Sequence, residues 1–324
     1  MDNNTVLLAL DCGKANTKIA VSNKDNSSVN IYSEPSQVKR IDSQIEVDSK
    51  LDTIEYDGNR YIIGANNEIT DMTSNGKSDF HHLTMARYAI SKYVKSGSKI
   101  KVIINCPYED GTNKDKKEAF KNFILPEGKI EIKLNGELRT YEIVSVNVLA
   151  EAVAALAYLD LDTGHDIGII DIGGLNSTYA YFDARGVKQD EKSGFTRNGI
   201  LKAAYSSVEP LSRANDTEFT IDNIHAAFKK GTVYGYEEET KEYIANALND
   251  ILKAIINDCN SKRWNFRMCD LVFIGGGSIL LKDRIKEQFP KAIIADNSEY
   301  INVLGIMKLL RAKNGLTGDF PITK

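Results

Sequence analysis

Two stretches of the chain repeat one pattern of apolar and polar positions. Residues 6–21 read VLLALDCGKANTKIAV and residues 167–182 read IGIIDIGGLNSTYAYF. In each, an apolar run (6–10; 167–170) predicts a buried strand that ends at an aspartate. A glycine-containing turn and a second strand-like run follow, which predicts a hairpin. Registered on the aspartates, Asp11 matches Asp171, Gly13 matches Gly173, Asn16 matches Asn176, Thr17 matches Ser177 and Ala20 matches Ala180. The second runs end in turn chemistry at 23–28 and at Ala184-Arg185-Gly186. A recurrence from position 11 to position 171 marks a duplicated domain, since solenoid repeats have periods of about 20–50 residues.

Between the copies, 53–64 (TIEYDGNRYIIG) alternates around Asp57-Gly58 and 130–143 (IEIKLNGELRTYEI) alternates around Asn135-Gly136. Both pairs accept the positive φ of tight primed turns, so both segments are expected to be hairpins. The spacing predicts an amphipathic helix over 85–94, a buried strand over 100–105 stopped by Pro107, and a helix over 113–123. The segment 148–159 (VLAEAVAALAYL) is apolar on nearly every face except Glu151 and reads as a largely buried helix. The second half predicts helices over 199–208 and over 221–230, the latter with Thr220 as N-cap and Gly231 as its stop. A long helix over 238–260, an apolar strand over 271–274, a Gly275-Gly276-Gly277-Ser278 turn and a helix over 282–288 follow. A final helix over 303–312 is expected to return to the first half. The fold class is α/β, with one domain of residues 1–160 plus 304–324 and a second of 161–303. No low-complexity linker separates them.

Composition narrows the function. A length of 324 residues suits two domains of ordinary size. The formal net charge of −4 argues against a protein that grips DNA directly by its own charge. The cluster Lys114, Lys116, Lys117 and Lys121 is interrupted by Asp115 and Glu118 at helical spacing, so it reads as a solvated helix face. Cys12, Cys106, Cys259 and Cys269 form no CxxC pair, which points away from a metal site or a disulfide framework and towards a reducing, cytoplasmic setting. No run of about 18 apolar residues is present, so no membrane span is expected.

The paired loops carry the chemistry. An Asp at a strand's end, followed by a glycine turn, suits a metal-chelated polyphosphate, because successive backbone N–H groups in such a turn form an anion-binding nest. Asp11 and Asp171 are the candidate Mg²⁺ ligands, since Mg²⁺ takes one or two carboxylates plus phosphate oxygens and waters. Gly13, Asn16, Gly173, Gly174 and Asn176 shape the turns, and Thr17, Ser177 and Thr178 add hydroxyl donors. Lys18 begins the strand leaving the first loop, within reach of a β- or γ-phosphate. Cys12, inside that loop, reads as a small buried apolar residue.

On these residues the chain resembles the actin-like ATPases. DCGKANTK is similar to the first phosphate loop of that superfamily and DIGGLNST to the second. FIGGGSILL resembles its adenosine loop, while AEAVAALAYL and YINVLGIMKLL resemble its two connecting helices. The five segments occur in the family's order and span nearly the whole chain. The resemblance implies two duplicated ribonuclease-H-like domains binding ATP and Mg²⁺ between them. It places Gly275, Gly276, Gly277, Ile279 and Leu280 against the base, and Asn223 and Lys229 are candidates for the ribose side. It makes Glu151, with Asp11 and Asp171, a catalytic residue that orients the attacking water. Lys14 and Ala15 depart from the pattern, standing where relatives often carry a hydroxyl for the γ-phosphate, so Lys14 either takes over that contact or simply points outward.

The chain is short for actin, sugar kinases or heat-shock chaperones. TIDNIHAAFKKG followed by a long helix is similar to the second half of ParM-type plasmid-segregation proteins. That resemblance implies an ATPase that polymerises with itself into filaments and moves plasmid DNA through a DNA-binding adaptor protein. The alternative of another class is a small-molecule kinase of the same fold, of sugar or acetate kinase type. It requires a base aimed at an acceptor hydroxyl, and no second acidic motif serves that role. A chaperone-like module, the third reading, requires an appended peptide-binding domain.

Overall fold

The computed structural model describes residues 4–22, 27–42, 45–64, 80–159, 161 and 164–323. Positions 23–26 of the turn expected at 23–28 lie outside the described residues. The chain divides into two compact units, Met1–Asp160 with Asn302–Lys324, and Leu161–Ile301. The first contains β1 (Thr5–Cys12), β2 (Asn16–Ser22), β3 (Val29–Pro35), β4 (Val38–Ile41), β5 (Asp52–Tyr56), β6 (Asn59–Ile63), α1 (Phe80–Tyr93), β7 (Lys99–Cys106), α2 (Tyr108–Gly111), α3 (Lys114–Ile124), β8 (Gly128–Leu134), β9 (Glu137–Ala150) and α4 (Val153–Leu159). The second contains β10 (Asp166–Ile172), β11 (Ser177–Phe182), β12 (Gly194–Thr196), α5 (Ile200–Ala214), α6 (Ile221–Lys230), α7 (Glu237–Ser261), β13 (Cys269–Ile274), α8 (Gly276–Leu280), α9 (Lys282–Gln288) and β14 (Ile293–Ile294). Then come α10 (Ile301–Lys313) and β15 (Ile322–Thr323), which belong to the first unit but for Ile301.

The duplication read from the two Asp-Gly segments extends to topology. The first sheet contains the order β3-β2-β1-β7-β9 and the second is β12-β11-β10-β13-β14. In both, the first two pairings are antiparallel and the last two parallel. The register repeats as well, with Asp11 opposite Lys18 and Asp171 opposite Thr178, each seven residues on. Central parallel strands must bury both faces, which explains the near-continuous apolar runs of β1, β7 and β10. The first sheet is widened by β8, β5, β6 and β4 at one edge and by β15 at the other. Both expected hairpins form there, and Asp57 (φ 47°), Gly58 (73°), Asn135 (52°) and Gly136 (81°) supply the positive φ values their turns require.

Three expected helices have different bounds, and the one over 85–94 begins five residues earlier, as α1. The segment 148–159 is not helical throughout: β9 runs on to Ala150, paired in parallel with β7, and α4 begins only at Val153. An apolar run buried on both faces looks alike in a central strand and in a buried helix, and here strand pairing prevails. Glu151 therefore sits in the turn between β9 and α4 rather than on a helix. The helix expected over 199–208 continues through Pro210 to Ala214 as α5. Burial of Leu211 in the second core offsets the hydrogen bond that proline removes.

One face of the first sheet, carrying Leu8, Leu10, Val102, Ile104 and Val146, packs with residues of α1 and α3 such as Met85, Ile90 and Phe120. On the opposite face, Lys101 donates to Asn314 just beyond α10 at 2.6 Å. Leu309 of α10 lines a cavity of about 400 Å³ with Ile103 and Leu149. Helix α10 also meets α4 at backbone distance, because a Cβ on Gly305 would lie 1.9 Å from the Ala154 carbonyl oxygen. In the second unit Trp264 lies on Gly168, edge-on to Tyr179 and Tyr181, and donates from Nε1 to the Lys192 carbonyl at 2.7 Å. Gly305→Ala is expected to destabilise the protein by about 1–3 kcal/mol through overpacking against backbone. Urea unfolding followed by circular dichroism measures this, and an unchanged midpoint would contradict the α4–α10 contact.

Candidate functional site

In the first unit Asp11 is the penultimate residue of β1, with 9% of its surface exposed, and the chain reverses just beyond it. The Gly13 N–H donates to the Asp11 carbonyl at 2.9 Å. A Cβ on Gly13 would lie 2.6 Å from the Asn16 carbonyl oxygen, so this reversal admits only glycine. The loop is braced from β3–β4: Ser36 Oγ donates to the Gly13 carbonyl at 2.6 Å, and the Ser36 N–H donates to the Ala15 carbonyl at 3.0 Å. A trans peptide carries C=O and N–H on opposite sides, so pinning these two carbonyls turns the N–H groups of Lys14 and Asn16 the other way. Lys18 Nζ lies 4.0 Å from where a Gly13 Cβ would stand, which puts its ammonium beside the turn.

The second unit builds the same turn by other means. A Cβ on Gly173 would lie 2.7 Å from the Asn176 carbonyl oxygen, and the Gly173 N–H donates to that oxygen at 3.0 Å. The brace is the start of α5. The Ile200 N–H donates to the Gly173 carbonyl at 3.1 Å, and the N–H groups of Leu201 and Lys202 donate to the Gly174 carbonyl at 2.7 and 3.1 Å. The N–H groups of Gly174 and Leu175 consequently face away from α5. Gly199 permits this approach, because a Cβ there would meet the Gly174 carbonyl oxygen at 2.5 Å.

The hydroxyls have a different task from the one expected. Thr17 Oγ1 shares a hydrogen bond with Ser36 Oγ at 2.9 Å, and Ser177 Oγ donates to the Asn198 carbonyl at 2.6 Å. Both side chains are fully buried, so both brace their loops from beneath. Asn16 is exposed, while Lys14, Gly173, Gly174 and Asn176 are half-buried.

Parallel pairing of β10 with β13 sets Asp171 opposite Ile274, beside the glycine run. Gly275 has φ 83°, and a Cβ there would lie 2.3 Å from the Asp171 carboxylate and 2.6 Å from the Ile172 carbonyl oxygen. Ser278 Oγ donates to the Gly275 carbonyl at 2.7 Å and shares a hydrogen bond with Ser298 Oγ at 2.9 Å, while the Gly275 N–H donates to the Ser298 carbonyl. Gly277 is buried against Ile172, Gly276 is exposed, Ile279 is 52% exposed and Leu280 packs on the second core. Of the ribose candidates, Asn223 uses its side-chain oxygen in the N-cap of α6, accepting from the Thr220 N–H and hydroxyl.

Glu151 leaves β9 half-buried, its N–H donating to the Cys106 carbonyl at the end of β7 at 3.2 Å. Ala152 follows with φ 63° and no exposed surface, a left-handed conformation that costs a non-glycine residue about 1–2 kcal/mol. Since β1 and β9 both flank β7 in parallel, Asp11 and Glu151 stand at the same edge of the first sheet. Their strands are about 10 Å apart, two inter-strand spacings, and this carboxyl edge is where open α/β sheets bind ligands. Sequence reasoning missed Ser36, Asn198 and Ser298; each supports its loop from 19 to 23 positions away, and no local pattern announces it.

Two units built on one strand order, each with an Asp-Gly turn at the carboxyl end of its leading strand, define a duplicated α/β fold, and it is the actin-like fold. Residues 9–153 match the family model of the actin like proteins N terminal domain. The archaeal actin homolog Ta0583 superposes with a TM-score of 0.77 at 18% identity, covering 95% of this chain and 99% of that one. Ta0583 is also known in complex with ADP. A ParM of a 15-stranded filament from Clostridium botulinum gives 0.75 at 15% identity, covering 95% and 99%. Alp12 in its filament gives 0.68 at 23% identity, covering 96% and 99%. No curated protein sequence matches the chain.

The two adjacent glycines of the third loop separate tight packing from open surface. Gly275→Ala drives a methyl into the Asp171 carboxylate at a positive φ and is expected to destabilise the second unit by about 1–3 kcal/mol. Nothing lies within 4 Å of a Cβ on Gly276, so Gly276→Ala is expected to stay within about 0.5 kcal/mol of the parent. Urea unfolding followed by Trp264 fluorescence compares them, and coincident midpoints would refute the packing of Asp171 on Gly275.

Proposed function

We propose that the chain binds and hydrolyses Mg-ATP and polymerises into filaments that segregate plasmid DNA through a separate DNA-binding adaptor. One observation carries the reading. Two turns held by unrelated partners, Ser36 in one unit and the first turn of α5 in the other, each pin two carbonyls and direct the neighbouring N–H groups outward beside an aspartate. Such a nest binds anions, and its recurrence supports a polyphosphate ligand.

The residues present suit Mg-ATP. The cradles at Gly13, Gly173 and Gly275 have no room for a Cβ. Among the described residues no three His, Cys, Asp or Glu groups cluster as metal ligands, and the single carboxylate at each turn suits a cation that completes its shell with phosphate oxygens and waters. Bound there, Mg²⁺ would offset the charge that develops on the transferred phosphoryl group. Asp11 and Asp171 would hold it, and the backbones of Lys14, Asn16, Gly174 and Leu175, with the Lys18 ammonium, would take phosphate oxygens. The Gly275–Leu280 loop would receive the adenosine. Glu151, on the same sheet edge as Asp11, would orient the attacking water and accept its proton.

The ADP complex of Ta0583 supports the nucleotide, and the ParM and Alp12 filaments support polymerisation. A filament needs a heterologous contact between two different surfaces of one subunit. The net charge of −4 favours leaving DNA to an adaptor. We place the protein in the cytoplasm; among the described residues no helix is long and apolar enough to cross a membrane.

Glu151→Gln is expected to leave nucleotide affinity nearly intact while slowing phosphate release on the order of 10²-fold or more, whereas Asp171→Ala should weaken Mg-nucleotide binding itself. Phosphate release that is unchanged in Glu151→Gln would sink the assignment of that residue. Sedimentation with a non-hydrolysable ATP analogue is expected to show a critical concentration lower than with ADP. A strictly monomeric supernatant at tens of micromolar, the range in which weak self-association still registers, would remove the filament and favour the small-molecule kinase.

A further inference from the structure

Between the strand that carries Asp11 and the strand that leads into Glu151 runs β7, whose penultimate residue is Asn105. Its side chain has no exposed surface, and neither its amide nitrogen nor its amide oxygen finds a hydrogen-bond partner in the protein. Buried polar groups are nearly always paired, and one left unpaired costs stability. Other buried polar side chains of this unit, among them Thr17, Ser36 and Ser91, are bonded. An amide with two idle atoms calls for an explanation.

Its position provides one. Ile100, Val102, Ile104 and Cys106 of β7 enter the core that packs with α1 and α3, so Asn105 faces the other side of the sheet. On β1, Leu8, Leu10 and Cys12 enter that same core, which leaves Asp11 on Asn105's face. The parallel register ends with Leu10 opposite Ile104, so the next position brings Asp11 beside Asn105 at about 5 Å, one inter-strand spacing. On the other flank Asn105 pairs with Leu149, two residues before Glu151. Asn105 thus stands beside the proposed metal carboxylate on the same face of the sheet, on the strand next to the one that leads into the proposed water-orienting carboxylate, with one donor group and one acceptor to offer.

We propose that Asn105 is a positioning residue for the hydrated Mg²⁺ of bound ATP. Its amide oxygen accepts from the cation's hydration water, and its NH₂ donates to a neighbouring carboxylate. The inference rests on the Mg-ATP reading above and adds to it a group that tunes the metal site without ligating it. Outer-shell partners of this kind typically alter metal affinity or activity by about 10–100-fold.

The test compares Asn105→Leu and Asn105→Asp with the parent protein by thermal unfolding, alone, with ATP in EDTA, and with ATP across a Mg²⁺ titration. Asn105→Leu removes the idle amide while keeping its branching and number of heavy atoms, so without nucleotide it is expected to melt at or above the parent temperature. Its half-saturating Mg²⁺ in the presence of ATP should rise about tenfold or more, while the shift with ATP in EDTA is retained. Asn105→Asp buries a charge, so it should melt lower alone yet recover most of the difference when Mg²⁺ and ATP are added, which keeps the test open if the Leu variant fails to fold. Variants that melt lower but keep the parent's Mg²⁺ dependence would overturn the proposal and leave Asn105 a structural residue of the sheet. A parent protein that shows no shift with ATP at all would overturn the Mg-ATP reading, and this inference with it.

Discussion

The organisation rests on one steric constraint, the closeness with which the chain folds back on itself after an aspartate at a strand's carboxyl end. At Gly13 and Gly173 the space for a Cβ is filled by a carbonyl oxygen three residues on, at 2.6 and 2.7 Å. Any side chain would open the reversal, lift the following strand out of register and turn the loop's N–H groups away from the aspartate. The hairpins β1–β2 and β10–β11 begin from these reversals. A third close approach, of Gly275 on Asp171, ties the glycine run to the same strand end.

What the duplication preserves is the turn, and what it varies is the brace. One unit holds its loop with a serine from an adjacent sheet connection, and the other with the leading amides of a 15-residue helix. Both solutions neutralise two carbonyls from behind, so both leave the same polarity in front. Selection on the front face and freedom behind it would give this result. The first unit then adds what the second lacks, a wide sheet whose central strand ends place Asp11, Asn105 and Glu151 along one edge.

Much of this was legible in the chain. Asp-Gly and Asn-Gly located two hairpins to the residue, Thr220 and Gly231 bounded α6, and the recurrence of Asp11-x-Gly13 as Asp171-x-Gly173 revealed the duplicated sheets. What failed was local reading of segments whose state is set by distant neighbours. Residues 148–150 lie in a strand because β7 lies beside them, and α5 passes through Pro210 because Leu211 has a core to enter. The hydroxyls of Thr17 and Ser177 looked like ligand donors, since nothing nearby revealed Ser36 or Asn198 as their partners. Asn105 read only as the polar end of an apolar strand. Its isolation becomes visible once the faces of three strands are known.

The central claim, that both glycine turns present backbone N–H groups to one class of ligand, is tested most directly at those groups. In amide ¹H–¹⁵N spectra of the protein titrated with ATP and Mg²⁺, the resonances of Lys14, Asn16, Gly174 and Leu175 should shift strongly and together. Those of Ser36, Ile200 and Leu201, already bonded to loop carbonyls, should move little. A titration that leaves the four loop amides in place, while the protein binds nucleotide elsewhere or not at all, would contradict the account.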